Sequence, residues 1–230
     1  DGGEVIVWAD DTTGFYGNIN ARGGNNTGDG GFVEVSGKQN LLFQGFVDVS
    51  ASAGQWGTIL LDPENITISD SPMQNDVEAE LPDIFEDQFA GLDIIINNSI
   101  LEIQTGDVFL EASNNITIVD GLSLNFIGGS ITFTADADGD GVGDFSMDQT
   151  QSITTLGGNI NISGQTITVG TISTPGGNIN ISGQTITVET ISTAPSAGDG
   201  GNITLSSSVG SITTGQLDAG SSGAGKGGDI

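Results

Sequence analysis

Residues 157–194 state one unit twice. Gly-Gly-Asn-Ile-Asn-Ile-Ser-Gly-Gln-Thr-Ile-Thr-Val runs from Gly157 to Val169 and again from Gly176 to Val188, and Thr-Ile-Ser-Thr follows one residue after each copy, a period of 19 residues. A unit this short cannot bury an apolar face by itself, so its neighbours must do so. Repeats of this length, rich in Ile, Val, Thr, Asn and Gly, are the mark of stacked β-coils in which each turn of chain is one rung.

The same alternation runs through most of the chain. Apolar residues recur at every second position in Val5/Val7, Val33/Val35, Val47/Val49, Ile66/Ile68, Ile116/Ile118, Ile131/Phe133, Ile160/Ile162, Ile167/Val169 and Ile203/Leu205. This is the period of a strand with one face inward. Gly-Gly pairs precede many of these runs, at 2–3, 30–31, 128–129, 157–158, 176–177, 200–201 and 227–228. Glycine at such points allows a tight corner and positive φ. The later pairs are 19, then 24, then 27 residues apart, and the extra residues read as loops bulging from a corner while the rung keeps its register. Short sequential strands without hairpin signals favour parallel stacking, and right-handed crossover is the default for parallel strands. The expected fold is an all-β, right-handed parallel β-helix (β-solenoid) of roughly nine to eleven rungs, a rod about 45 to 50 Å long.

Three stretches are expected. Residues 1–69 form amino-terminal rungs. Residues 70–91, with Pro72, Pro82 and many acids, form an acidic excursion with room for a short helix over 83–89. Residues 92–230 return to rungs. Both chain ends look like cuts inside a repeating array, which suggests an excerpt from a longer protein.

Composition narrows the chemistry. Thirty acidic residues stand against three basic ones, Arg22, Lys38 and Lys226, for a formal charge of −27, so nucleic acid is not an expected partner. There is no cysteine and no histidine, which removes disulfides, thiolate sites and any Ser-His-Asp triad. No apolar run is long enough for a transmembrane segment, and no signal peptide opens the chain.

The sharpest local chemistry lies in 136–148. Asp136, Asp138, Asp140 and Asp144 occupy relative positions 1, 3, 5 and 9, with Gly141 at 6 and the carbonyl of Val142 at 7, as in the first part of a calcium loop. Met147 stands where a bidentate Glu belongs, Asp148 arrives one residue late, and no helices flank the loop. These six residues are the candidate Ca2+ ligands; a solvated, metal-free corner loop is the alternative. Gly220 to Gly227 imitates a phosphate loop but lacks the Ser/Thr and the helix that one requires. The Asn-x-Ser/Thr triplets, including Asn65, Asn115, Asn161 and Asn180, read better as outward strand residues than as glycosylation acceptors, and Asn159 over Asn178 suits a hydrogen-bonded ladder. Trp8, Phe15, Tyr16, Phe32, Phe43, Phe46 and Trp56 are expected mostly as core stacks rather than as an exposed sugar-binding strip. Outward Thr166/Thr168 and Thr185/Thr187 repeat over two rungs. No catalytic set stands out.

One combination of motifs resembles a known family. Gly-Gly-Glu-Val-Ile-Val-Trp-Ala-Asp (2–10), Phe15-Tyr16-Gly17 with Asn20-Ala21-Arg22-Gly23-Gly24, Gly-Gly-Phe-Val-Glu-Val-Ser-Gly-Lys (30–38) and Gly57-Thr58-Ile59-Leu60-Leu61-Asp62-Pro63 leading to Asn65-Ile66-Thr67-Ile68 resemble the filamentous haemagglutinin-like exoproteins of two-partner secretion, particularly the large cyanobacterial ones. The segment from Ile131 to Gly143 looks like the same group. The family's secretion-recognition domain is missing, which would place this piece downstream in the shaft. The resemblance implies a secreted, extracellular or cell-surface, outer-membrane-associated adhesin or filament shaft, non-catalytic and exported through an outer-membrane secretion partner. Its implied partners are cell-surface or matrix glycans or proteins, and other copies of itself, end to end or laterally. The alternative is a calcium-dependent glycan-binding or carbohydrate-active β-helix module.

Overall fold

The computed structural model describes residues 1–70, 94–119 and 121–230. The expected excursion at 70–91, with its helix over 83–89, falls almost wholly outside them. The described residues form a parallel β-solenoid. Its first rung is β1 (Glu4–Ala9), β2 (Thr12–Phe15) and β3 (Asn18–Asn20), and the second is β4 (Phe32–Gly37), β5 (Asn40–Phe43) and β6 (Phe46–Asp48). The third holds β7 (Thr58–Leu61), β8 (Ile66–Ser69), β9 (Ile94–Asn97) and the short helix α1 (Asn98–Glu102). Next come β10 (Asp107–Ala112), β11 (Ile116–Ile118) and β12 (Leu124–Phe126), then β13 (Ile131–Ala135), β14 (Phe145–Ser146) and β15 (Ser152–Thr155). The doubled unit forms two rungs of two strands each: β16 (Ile160–Ser163) with β17 (Thr166–Ser173), and β18 (Ile179–Gly183) with β19 (Thr185–Ser192). Last are β20 (Ile203–Ser207) and β21 (Ile212–Asp218).

Every pairing between named strands is parallel, and the rungs present three faces. Face one is an eight-stranded sheet in the order β1-β4-β7-β10-β13-β16-β18-β20. The Ile203 N–H donates to the Asp229 carbonyl, so the last residues begin a further level. Face two runs β9-β8-β11-β14-β17-β19-β21, and face three runs β12-β15 onto the second halves of the same long strands β17, β19 and β21. A bend at Gly170 lets β17 serve both faces. An added Cβ there would lie 2.5 to 2.8 Å from three backbone carbonyl oxygens of 148–151.

The core is a set of columns along the rod. Val33, Ile59, Val108, Ile131, Ile160, Ile179 and Ile203 are register partners in succession, and all are buried. Each such side chain contributes about 1.5–3 kcal/mol of burial, but only because the next rung covers it. The steps of 19 and 24 residues read from the glycine pairs are the register steps Ile160–Ile179 and Ile179–Ile203.

Two side-chain devices lock the rungs together. The first is a polar ladder in which each side-chain oxygen accepts the backbone N–H one rung further on: Asp107 from Ser130 (2.7 Å), Ser130 from Asn159 (3.1 Å), Asn159 from Asn178 (2.8 Å), Asn178 from Asn202 (2.8 Å) and Asn202 from Asp229 (2.8 Å). The expected Asn159–Asn178 step is therefore one link in a longer ladder. The glycosylation-like triplets serve the same purpose: Asn65 accepts from Asn115, Asn115 from Asp144, and Asn161 from the Asn180 amide.

The second device is a glycine column, and it corrects the expected role of the Gly-Gly pairs. Among those pairs only Gly129, Gly157 and Gly176 have positive φ. What most of them require is absence of bulk. An added Cβ would lie 2.1 Å from the Gly3 oxygen at Gly31, 1.7 Å from the Gly129 oxygen at Gly158, and 1.8 Å from the Gly177 oxygen at Gly201. The corner is built by backbones in direct contact.

Rung three departs from the pattern. Its step, from Ile59 to Val108, is 49 residues. After the excursion the chain returns as β9, parallel to β8 on the side away from β11, and α1 then stands where other rungs have a third-face strand. Asn97 caps α1 by accepting the Ser99 N–H, while buried Gln104 accepts from Val47 N–H and donates to the Gly45 carbonyl. Thr105 then bridges Asp48 and restores the third face.

Candidate functional site

The 136–148 loop leaves face one after β13 and re-enters at β14. Asp136 sits at its mouth with φ of 57°, and Gly139 and Gly141 carry φ of 73° and 89°, so three left-handed residues fold the loop on itself. The Asp136 carboxylate accepts from Gly141 N–H at 3.0 Å and from the Gln165 side-chain amide; Asp138 accepts from Asp140 N–H at 3.3 Å, and Asp140 from Val142 N–H at 2.8 Å. The Gln165 amide, and after it the loop N–H groups, hold Asp136 below the usual carboxylate range. One carboxylate oxygen from each of Asp136, Asp138 and Asp140 lies within 4.8 Å of the others, an arrangement that can hold a cation.

The structure brings these three together and gives the other candidates further work. Asp144 lies in the second polar ladder, its N–H donating to Asn115 and its carboxylate accepting from Thr166. Asp148 turns the next corner, accepting from the Thr150 hydroxyl and N–H, which lower its pKa. Val142 is exposed.

Sequence reasoning missed a second acidic group. Glu34 on β4, Asp62 just after β7 and Glu111 on β10 lie on successive rungs of face one, all half-buried. Burial, and then Glu34, push Asp62 above the ordinary carboxylate range; burial, then Asp62 and Glu34, do the same to Glu111. The register Leu61↔Leu110 explains the meeting of Asp62 with Glu111, which the 49-residue rung conceals in the sequence.

The aromatics divide differently from expectation. Phe43 is fully buried and packs against Phe15 at 5.6 Å between ring centres, but Trp8 and Trp56 are exposed, at 53% and 39%. The threonine array is longer than the doubled unit implies: Thr67, Thr117, Ser146, Thr168, Thr187 and Thr213 are register partners in succession on face two. The phosphate-loop imitation at 220–227 is a corner loop in which the Ser221 hydroxyl donates to the Gly225 carbonyl, with no helix following it. Arg22 pairs with Asp48 at 3.5 Å. No described helix is long and apolar enough to cross a membrane. No family model matches the chain, and no curated protein or solved structure matches it.

Proposed function

We propose that this chain is a shaft segment of a large secreted or surface-anchored adhesin, non-catalytic and exported through an outer-membrane partner. The observation that supports this reading is the unbroken in-register stack on face one, in which rungs of different length share one ladder and one glycine column. Length variation is then carried by corner loops, and the rod serves to extend and to present surface. Beads coated with the protein are expected to be retained on biofilm cells or matrix polysaccharide several-fold above albumin-coated beads. Equal retention sinks the adhesive reading.

A second reading, a calcium-dependent glycan-binding module, is favoured by the grouping of Asp136, Asp138 and Asp140. Calcium at about a hundred times its Kd stabilises the folded state by about 2.7 kcal/mol. For a chain of this size that is a rise in Tm of roughly 5–10 °C over EDTA. The double substitution Asp138→Ala with Asp140→Ala is expected to abolish the rise. A melt indifferent to calcium and EDTA rejects the site.

A further inference from the structure

The corner between faces three and one carries a groove of about 510 Å³ that belongs to neither the acidic loop nor the carboxylates of face one. One wall is apolar and open to water: Trp56, Ile127 (65% exposed) and Leu156 (80% exposed). Phe126 and Thr155 are register partners, so Ile127 and Leu156 project from consecutive rungs. The other wall includes Asp107 and Ser130 of the polar ladder, and Gln55 lines the end beside Trp56.

Trp56 is seated rather than dangling. Its ring lies over Gly128, where an added Cβ would come within 3.0 Å of Cζ3, so the glycine makes room for the indole against the backbone. Scattered apolar side chains on a surface need no explanation, but three on one wall of a groove, facing polar groups, do. Burial in the core cannot account for them, because the columns inside the rod are complete without them.

We infer that this groove binds a neutral, uncharged oligosaccharide lying along the rod axis. A pyranose ring offers one face of C–H groups and a rim of hydroxyls, which matches an indole with an apolar ridge on one side and hydrogen-bonding groups on the other. The groove spans three rungs spaced about 4.8 Å apart, room for more than one sugar ring. Charge decides against acidic glycans: the chain carries −27, Asp107 lies in the groove wall, and none of Arg22, Lys38 and Lys226 lines it. A cationic side chain would use Trp56 and Asp107 but would leave the ridge of Ile127 and Leu156 uncovered.

This inference rests on the adhesive reading and names a ligand class and a place for it. With Trp8→Phe, Trp56 is the only tryptophan of the intact chain, so its fluorescence reports on the groove. Cellohexaose, xylohexaose and laminarihexaose are the neutral probes; oligogalacturonate and oligolysine are the charged ones. At least one neutral hexaose is expected to change the emission saturably. In calorimetry, Trp56→Ala should weaken that binding at least tenfold and Trp56→Phe should restore part of it, with unchanged Tm showing that the rod is intact. The assignment is overturned if no neutral hexaose binds, if Trp56→Ala binds as well as the parent, or if only a charged probe binds. Bead retention separates the two failures: retained beads with no hexaose binding remove the groove and leave the adhesive reading, and failure of both removes both.

Discussion

Gly158→Ala is expected to cost about 3 kcal/mol or more, a fall in Tm of roughly 6–12 °C. The new Cβ would stand 1.7 Å from the Gly129 carbonyl oxygen and 2.5 Å from its carbon. Both are backbone atoms, so no side chain can swing aside. Relief requires the rungs of β13 and β16 to part by more than an ångström, against the Ile131–Ile160 register and the bond from Ile131 N–H to the Asn159 carbonyl at 3.0 Å. Gly3→Ala is the matched control, because nothing lies within 4 Å of a Cβ there and its φ is not in the left-handed region. It should stay within about 0.5 kcal/mol of the parent. Equal melts for the two variants would show that the corner yields and that the column is not a packing constraint.

Phe133→Ala is the second large effect, about 3–5 kcal/mol. Phe133 is fully buried, and its ring meets Phe145 edge-on with centres 5.1 Å apart, joining face one to face two within one rung. It also stands between Leu110 and Ile162 in the inward column, so its removal leaves a hole facing three neighbours. In a stacked array the loss falls on a nearest-neighbour interface. Denaturant titration should therefore show a lower midpoint together with a broader transition as the two halves uncouple. Phe133→Leu, which keeps most of the volume, should recover most of the loss. A cost for the alanine variant below about 1 kcal/mol would mean that the column collapses to fill the space.

Strand identity and rung length were legible because both are local. Alternation at Ile160/Ile162 needs only a few residues to declare itself, and the doubled unit supplies the step that register then repeats. What brings distant rungs side by side was not legible. Asp62 meets Glu111, and Trp56 reaches Gly128, across the 71–93 segment, and no pattern in the chain states how far that segment advances the helix. The aromatic forecast failed for a related reason. Trp8 sits in an alternating run, but on the outward phase of β1, and alternation alone does not say which phase faces in. The acidic loop was the reverse case: Asp136, Asp138 and Asp140 are neighbours in sequence and remain so in space, whereas Asp144 and Asp148 pass to the ladder and to the next corner.

The polar ladder has a direction. From Asp107 to Asp229 every link runs from a later residue's N–H to an earlier residue's side-chain oxygen, and the second ladder from Asn65 through Asn115 and Asp144 to Thr166 runs the same way. A finished rung therefore offers acceptors to the chain that follows it, set at the spacing the new strand requires. The arrangement is a template that copies itself forward, and a chain threaded through a pore with its amino end leading would find each landing place built before it arrived.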